Sequence, residues 1–353
     1  MTAVHQFHPV LAPGDAMGNH VVALAERVRE WGYDSRVYAI EAKPGIAADV
    51  LPYRRLFRAV QPEDLLLMHF SMGNEIFDQL VKIDARRVLI YHNITPPRFF
   101  AGVNPHAAVH AQLGLRQLSA LAPRIDLAIG VSEFNRRDLE QAGYQRTVRV
   151  PILIDWPAYD VAPDPAVLAQ WETRPTVLLF VGRIAPHKRQ DELIRLIAYY
   201  RRCIDPEAEL VLVGTYRDQP QFHERLGALA EQLGVADAVT FTGSVSLAEL
   251  VAYYRVASCF VSLSEHEGFA VPLLEAMRFE RPIVAVDAGA VGETLGGAGV
   301  LLPKREVPEV AEAVALLLER DDLRERFAAA SARRLRDFDT EVVARQTREA
   351  LGL

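Results

Sequence analysis

Short apolar runs alternate along this chain with longer stretches whose apolar residues recur at helical spacing, and the alternation occurs twice. Apolar runs this short, rich in β-branched residues, form buried strands, and strands separated by helices build parallel sheets covered on both faces. In the first half, Leu65–Phe70, Arg87–His92 and Leu127–Ser132 are the expected strands, with helical segments over 18–31 and 133–142. The second half repeats the scheme in Val177–Val181, Leu210–Val213, Val239–Phe241, Ser258–Leu263 and Ile283–Val286. Between the halves, Pro151, Pro157, Pro163 and Pro165 gather around Asp155 and Asp160 and interrupt regular structure. A chain of 353 residues also exceeds what one hydrophobic core usually supports. The expectation is an α/β protein with two doubly wound, Rossmann-like domains, 1–160 and 161–336, whose parallel sheets face across a cleft. A helix over 340–351, N-capped by Asp339, ends the segment 337–353 and packs back toward the first domain.

A formal net charge of −7 gives no general attraction to nucleic acid, so no nucleic-acid partner is expected. The opening residues, Met1 to His8, carry neither a basic start nor a long apolar run, which points away from a signal peptide or membrane span and toward the cytoplasm. Tyr53-Arg54-Arg55-Leu56-Phe57-Arg58 suggests at most peripheral contact with the inner face of a membrane, and a solvated helix face accounts for it better. Cys203 and Cys259 lack metal-ligand spacing and are read as buried free thiols. No His-X3-His pair on a helix is counted among the histidines, so His8, His20, His69, His106, His110, His187, His223 and His266 receive no metal role. Asp337-Phe338-Asp339 spells a metal-binding Asp-X-Asp, but helix capping explains it better. The chain has neither Gly-X-Gly-X-X-Gly after its first strand nor Gly-X4-Gly-Lys-Ser/Thr, which weighs against dinucleotide oxidoreductases and P-loop enzymes.

A doubly wound sheet binds its ligands beyond the carboxyl ends of the strands, so the loops there are where chemistry is expected. After Val181 the chain reads Gly182-Arg183-Ile184-Ala185-Pro186-His187-Lys188 and then turns helical from Gln190. Arg183 and Lys188 sit at a strand-to-helix turn, where helix amides already favour an anion; they form either a diphosphate site or a solvated basic turn. After Leu263 comes Ser264-Glu265-His266-Glu267-Gly268-Phe269-Ala270-Val271-Pro272-Leu273-Leu274-Glu275. A helix starting near Pro272 would aim its amides at a bound phosphate or sugar, and Gly268 permits close backbone approach. Glu275 lies about one turn inside that helix and either grips paired ribose hydroxyls or is a helix-surface acid, while Glu267 either accepts bonds from a sugar or is an exposed loop acid.

These residues resemble glycosyltransferase family 4, a retaining family with the two-domain GT-B fold. The resemblance rests on the Glu-X7-Glu element Glu267–Glu275 and on Gly182-Arg183 with Lys188. Phe241-Thr242-Gly243-Ser244-Val245 and Gly289-Ala290 with Glu293 add to it, and it spans nearly the whole second half. It implies that Arg183 and Lys188 bind a donor diphosphate, that the backbone of Gly268, Phe269, Ala270 and Val271 contacts phosphate and sugar, and that Val245 lies by the base. It assigns the ribose to Glu275 and the transferred sugar to Glu267. In the first half, Tyr91-His92-Asn93-Ile94-Thr95-Pro96 resembles the place of a histidine facing the donor sugar from the acceptor side, which makes His92 the candidate and Asn93 its neighbour. Ser132-Glu133-Phe134-Asn135 resembles the family too, as a helix start.

One loop departs from the pattern. Where many members carry two adjacent glycines, this chain has Asp15-Ala16, flanked by Gly14 and Gly18. Asp15 either meets an acceptor or sugar hydroxyl or caps the following helix. The resemblance implies a retaining, metal-independent hexosyltransferase that uses a nucleotide diphosphate sugar as co-substrate and needs no cofactor. Glu267, His92, Arg183 and Lys188 are its catalytic candidates. A nucleotide-sugar epimerase of the same architecture and a non-catalytic sugar-nucleotide-binding protein are the alternatives. The acceptor is a hydroxyl compound that the sequence does not identify, and oligomeric state leaves no signal in it.

Overall fold

The computed structural model describes residues 3–46 and 49–353; Met1 and Thr2, part of the opening run that carries no leader-like pattern, lie outside them. The described chain forms two compact units. The first comprises residues up to Arg98, Pro105–Trp156 and Phe338–Leu353, and the second Phe99–Asn104 and Pro157–Asp337. Among the described residues no helix is long and apolar enough to cross a membrane.

The strands of the first unit are β1 (Ala3–Phe7), β2 (Val10–Leu11), β3 (Asp34–Ala39), β4 (Glu41–Ala42), β5 (Val50–Pro52), β6 (Leu65–Phe70), β7 (Arg86–Tyr91), β8 (Leu127–Gly130) and β9 (Thr147–Arg149). Seven of them make one sheet in the order β5-β3-β1-β6-β7-β8-β9, with β2 and β4 paired separately. Every ladder is parallel. The second unit carries β10 (Val177–Val181), β11 (Glu209–Val213), β12 (Val239–Gly243), β13 (Cys259–Ser262), β14 (Ile283–Val286) and β15 (Val300–Leu302), ordered β12-β11-β10-β13-β14-β15 and again all parallel. In each sheet the order reverses beside the first strand, between β1 and β6 and between β10 and β13. Crevices at such reversals are where doubly wound sheets hold ligands.

The apolar runs read from the sequence are strands, most of them central and buried along their length, as in Leu65–Phe70 and Cys259–Ser262, whereas Val239–Phe241 belongs to the half-buried edge strand β12. β1 escaped that reading because His5 and Gln6 interrupt its apolar pattern, yet both are buried. Each is paired. Asp64 accepts the amide of Ala3 at 2.8 Å, the amide of Gln61 at 2.9 Å and Nε2 of His5 at 3.2 Å, so its carboxylate pins the start of β1 to the loop before β6. Burial keeps His5 neutral, and the contact is a hydrogen bond to a carboxylate rather than an ion pair.

The helix Thr340–Leu351 is capped by Asp339, which accepts from the amides of Glu341 and Val342. It belongs to the first unit, where Thr340 donates to the carbonyl of Ile154 at 2.9 Å and Trp156 Nε1 to the carbonyl of Phe338 at 2.8 Å. In the second unit, the ring of Phe99 lies 5.9 Å from His187 and 6.4 Å from His266.

Two expectations need correction. Cys259 is buried in β13, where desolvation pushes its thiol up to about 12, but Cys203 is exposed, because it ends the helix Gln190–Cys203 where that helix reaches the surface. The helix Pro105–Leu121 does carry a His-X3-His pair: His106 and His110 are four residues apart, share one face, and bring their Nε2 atoms to 3.2 Å.

Burial opposes the charge on Asp64, but its amide partners and His5 hold the carboxyl below its ordinary value of 3.8. That stabilisation is present above the unfolded value and disappears as pH falls through the folded one. We therefore expect Asp64→Asn to lower unfolding stability by about 2 kcal/mol at neutral pH, with the gap to wild type narrowing as the pH falls below the ordinary carboxyl value, as read by denaturant titrations across pH. A pH-independent gap would show that the charge of Asp64 is not what matters.

Candidate active site

In the second unit, the loops after β10 and β13 flank the reversal of strand order. β10 ends at Val181, and the chain passes through Gly182 into a single 3-10 turn, Pro186–Lys188. Arg189 follows in the left-handed region, with φ 54°, and the helix Gln190–Cys203 begins. The buried side chain of Gln190 holds this loop by accepting the Ala185 amide at 3.3 Å and donating to the Arg183 carbonyl at 3.0 Å. The loop after β13 joins it where the Glu265 amide donates to the His187 carbonyl at 2.7 Å. Above that bond, Lys188 Nζ lies 2.6 Å and 2.7 Å from the two oxygens of Glu267. The side chains are only 18% and 11% exposed, so water screens the pair poorly. Next to it, Arg189 binds Asp191, Glu192 and Glu265. His187 is held well below its usual pKa by burial first, and then by Lys188, His266 and Arg183, so it adds no charge to the basic loop.

Arg183 is not drawn into the pair. Half exposed, it lies 3.9 Å from Asp218. The Glu267 backbone is fixed from behind, since its carbonyl accepts the Ala290 amide at 2.9 Å. Gly289 makes this possible, because a Cβ there would stand 2.3 Å from that carbonyl oxygen. Thr294 donates to the Phe269 carbonyl at 2.5 Å and fixes the next turn. Ala270, with φ 70°, then starts the helix Val271–Arg278, whose amides face away from the helix interior at its open first turn. Val245 is half-buried in the loop between β12 and the helix Leu247–Val256, just before the capping box of Ser246 and Glu249.

Glu275 lies in the second turn of that helix and is almost fully buried. No cation meets it. Oε1 accepts the hydroxyl of Tyr159 at 2.5 Å and Oε2 that of Tyr254 at 2.6 Å. Burial raises the pKa of this carboxyl, and the two hydroxyl bonds oppose the rise. Sequence reasoning missed Tyr159, Tyr254, Gln190 and Thr294; none lies in a chemistry-bearing motif, and only the folded chain brings them there.

In the first unit, Asp15 caps the helix Ala16–Glu30 by accepting the Gly18 amide at 3.2 Å. Gly14 has φ 71°, and Gly18 is buried against the Ala12 carbonyl. Asn93, with φ 77°, donates to Asn135 at 2.8 Å and to Asp138 at 3.1 Å, and so fastens the loop after β7 to the helix Glu133–Gln141 that Ser132 caps. His92 follows β7, buried, with Nε2 3.1 Å from Nδ1 of His69.

Residues 169–334 match the family described as glycosyl transferases group 1. The chain is 37% identical over 175 residues to a GDP-mannose-dependent alpha-(1-6)-phosphatidylinositol monomannoside mannosyltransferase of Mycobacterium tuberculosis, covering 45% of this chain and 44% of that protein. It is 32% identical over 222 residues to a phosphatidyl-myo-inositol mannosyltransferase of Mycobacterium leprae, with 62% and 56% covered. The chain thus spans about half the length of these curated relatives. Among solved structures, HepE of Anabaena in complex with UDP and glucose superposes with a TM-score of 0.81 at 20% identity over 100% of both chains. Sucrose-phosphate synthase of Thermosynechococcus elongatus gives 0.78 at 18% identity, covering 99% of this chain and 98% of that one. These likenesses establish the fold: two parallel-sheet α/β units of the GT-B class.

Two stability changes follow from this geometry. Ala270→Gly removes a Cβ from the left-handed region and should stabilise the protein by about 1 kcal/mol, seen as a raised melting temperature. An unchanged or lower value would mean that the loop does not strain Ala270. For Glu275 the pKa is raised, so its contribution is fully present below the unfolded value of 4.5 and is lost as pH rises through the folded one. Glu275→Gln should accordingly gain melting temperature over wild type as pH increases from acid to alkaline; a gain that shrinks with pH would contradict the assignment.

Proposed function

We propose that this chain, whose second half belongs to the glycosyl transferases group 1 family, moves a hexose-type sugar from a nucleotide diphosphate donor to a hydroxyl acceptor, with retention of configuration and without a metal. The observation that carries the reading is the pairing of Lys188 with Glu267 where the loops after β10 and β13 meet. A cation and a carboxylate held together at the switch point are the two groups that a sugar diphosphate needs, one for the leaving group and one for the sugar hydroxyls.

Cleavage of a sugar–phosphate bond leaves negative charge on the diphosphate and positive charge on the ring. Lys188, Arg183 and the amides at the start of the helix Val271–Arg278 receive the negative charge, with no proton transfer required. A diphosphate competes with Glu267 for Lys188 Nζ, and the carboxylate it releases turns to the sugar hydroxyls. Glu275 receives the ribose: its two oxygens, now occupied by tyrosine hydroxyls, are the paired acceptors that adjacent ribose hydroxyls require, and half-buried Tyr159 is the partner that gives way. The departing phosphate takes the acceptor's proton on the face it leaves, which gives retention without a dedicated enzyme base. In the first unit, His92, Gly14 and Asn93 are assigned to sugar or acceptor contacts, while Asp15 and Gly18 shape the helix start in the same loop. The protein works in the cytoplasm, with peripheral membrane contact at most. The names of the mycobacterial mannosyltransferases and the UDP and glucose bound to HepE support a hexose donor.

Purified protein incubated with a panel of nucleotide sugars and hydroxyl acceptors should yield a product whose anomeric configuration, read by NMR, matches the donor, and EDTA should not reduce the rate. Lys188→Ala and Glu275→Ala should each lower kcat/KM by about a hundredfold or more. Full turnover in both variants would remove the assigned donor site, and product formation without acceptor would indicate an epimerase instead.

A further inference from the structure

The carboxyl ends of β1, β6 and β7, at the reversal of strand order in the first unit, carry a buried group of imidazoles. His69 is the penultimate residue of β6, His92 follows β7, and His20 faces them from the helix Ala16–Glu30. The ring centroid of His20 is 5.5 Å from that of each of the other two, and all three side chains are buried. Each neutral imidazole has one donor and one acceptor nitrogen, so fixed partners dictate the tautomers.

The chain of bonds starts at a backbone carbonyl, which only accepts. Val21 O is 3.3 Å from Gln6 Nε2, and this fixes the orientation of the amide and leaves Gln6 Oε1 as an acceptor. Oε1 lies 2.9 Å from His69 Nε2, which must therefore carry the proton. His69 Nδ1 is then the acceptor in its 3.1 Å contact with His92 Nε2, so His92 also carries its proton on Nε2. His92 Nδ1 is left as a buried lone pair with no partner among the described residues. Burial first, and then the neighbouring histidines, hold His69 and His92 well below the usual imidazole pKa, so both are neutral.

We infer that Gln6 and His69 are positioning residues: they lock His92 in the Nε2–H form, so that its Nδ1 meets a substrate sugar hydroxyl as an acceptor. This rests on the proposed placement of His92 beside the sugar. A metal ion fits the same trio poorly, although one ligand atom from each of His20, His69 and His92 lies within 4.8 Å of the others. The Leu153 amide donates to His20 Nδ1 at 2.9 Å, so a metal on Nε2 would leave His20 without either proton. Metal-bound histidines ordinarily donate the other N–H to an acceptor, and here that nitrogen faces a donor.

Long-range proton–nitrogen NMR on the full chain labelled with 15N-histidine tests the inference. In wild type near neutral pH, His20, His69 and His92 should each appear as the neutral Nε2–H tautomer. Gln6→Leu removes the acceptor that sets the direction and should bring a second, Nδ1–H population to His92, with kcat falling about tenfold. His69→Asn puts an amide oxygen near the Nδ1 position and should keep His92 in the Nε2–H form with most of the kcat retained. An Nδ1–H His92 in wild type, an unchanged His92 in Gln6→Leu, or a joint shift of the three histidines on adding equimolar Zn2+ would overturn the relay. The reading of His92 as a sugar contact is separable. Full turnover in His92→Ala would remove that contact whatever the spectra show, whereas contrary spectra would remove the relay even if His92→Ala is inactive.

Discussion

The bond from the Glu265 amide to the His187 carbonyl joins the loops after β10 and β13 of the second unit into one surface. Each loop leaves its own strand, and the pairing of β10 with β13 sets them side by side without fixing the approach of their tips. Joined there, they hold Lys188 and Glu267 close enough for both carboxylate oxygens to meet one ammonium. Gln190 braces the first loop from the helix side, and Gly289 lets the segment behind Glu267 come close enough to brace the second. The charges at the centre of this surface are matched to each other, which lets them lie at low exposure without the cost of an isolated buried ion.

A different balance holds at Glu275. Its partners are two neutral hydroxyls, and burial acts against its charge. A structural role alone would be served better by a glutamine or an apolar residue, since uncompensated burial of a carboxylate works against folding. Sites that keep such a group commonly use it for a ligand, and this one lies in the second turn of a helix that starts beside the Glu267 loop.

How much of this could be read from the sequence depended on whether a segment's neighbours were local. The central strands of both sheets were legible because they are buried on both faces and therefore almost wholly apolar, as in Val177–Val181 and in Leu65–Phe70, where His69 is the one polar residue. The helix over 340–351 and its Asp339 cap were legible because capping is a contact between near neighbours. β1 was not, because His5 and Gln6 sit in its middle and their partners, Asp64 and His69, lie some sixty positions away. The loops bearing Arg183, Lys188, Glu267 and Glu275 were recognisable as motifs, whereas the tyrosines on Glu275, from positions 159 and 254, were not, because only tertiary packing brings them to it. The same limit hid the imidazole group of the first unit: its members come from β6, from the loop after β7 and from the helix Ala16–Glu30, and no spacing relates them.

The first unit is finished by a helix encoded after the whole of the second. Thr340 and Phe338 bond to Ile154 and Trp156, so the first unit gains these contacts only once residues 338–351 have been made. During vectorial synthesis the ribosome therefore delivers the second unit complete while the first still lacks a piece of its covering. The unit begun first is thereby the last to gain all of its contacts, and the surface around Ile154 and Trp156 is the one left longest without its partner during synthesis.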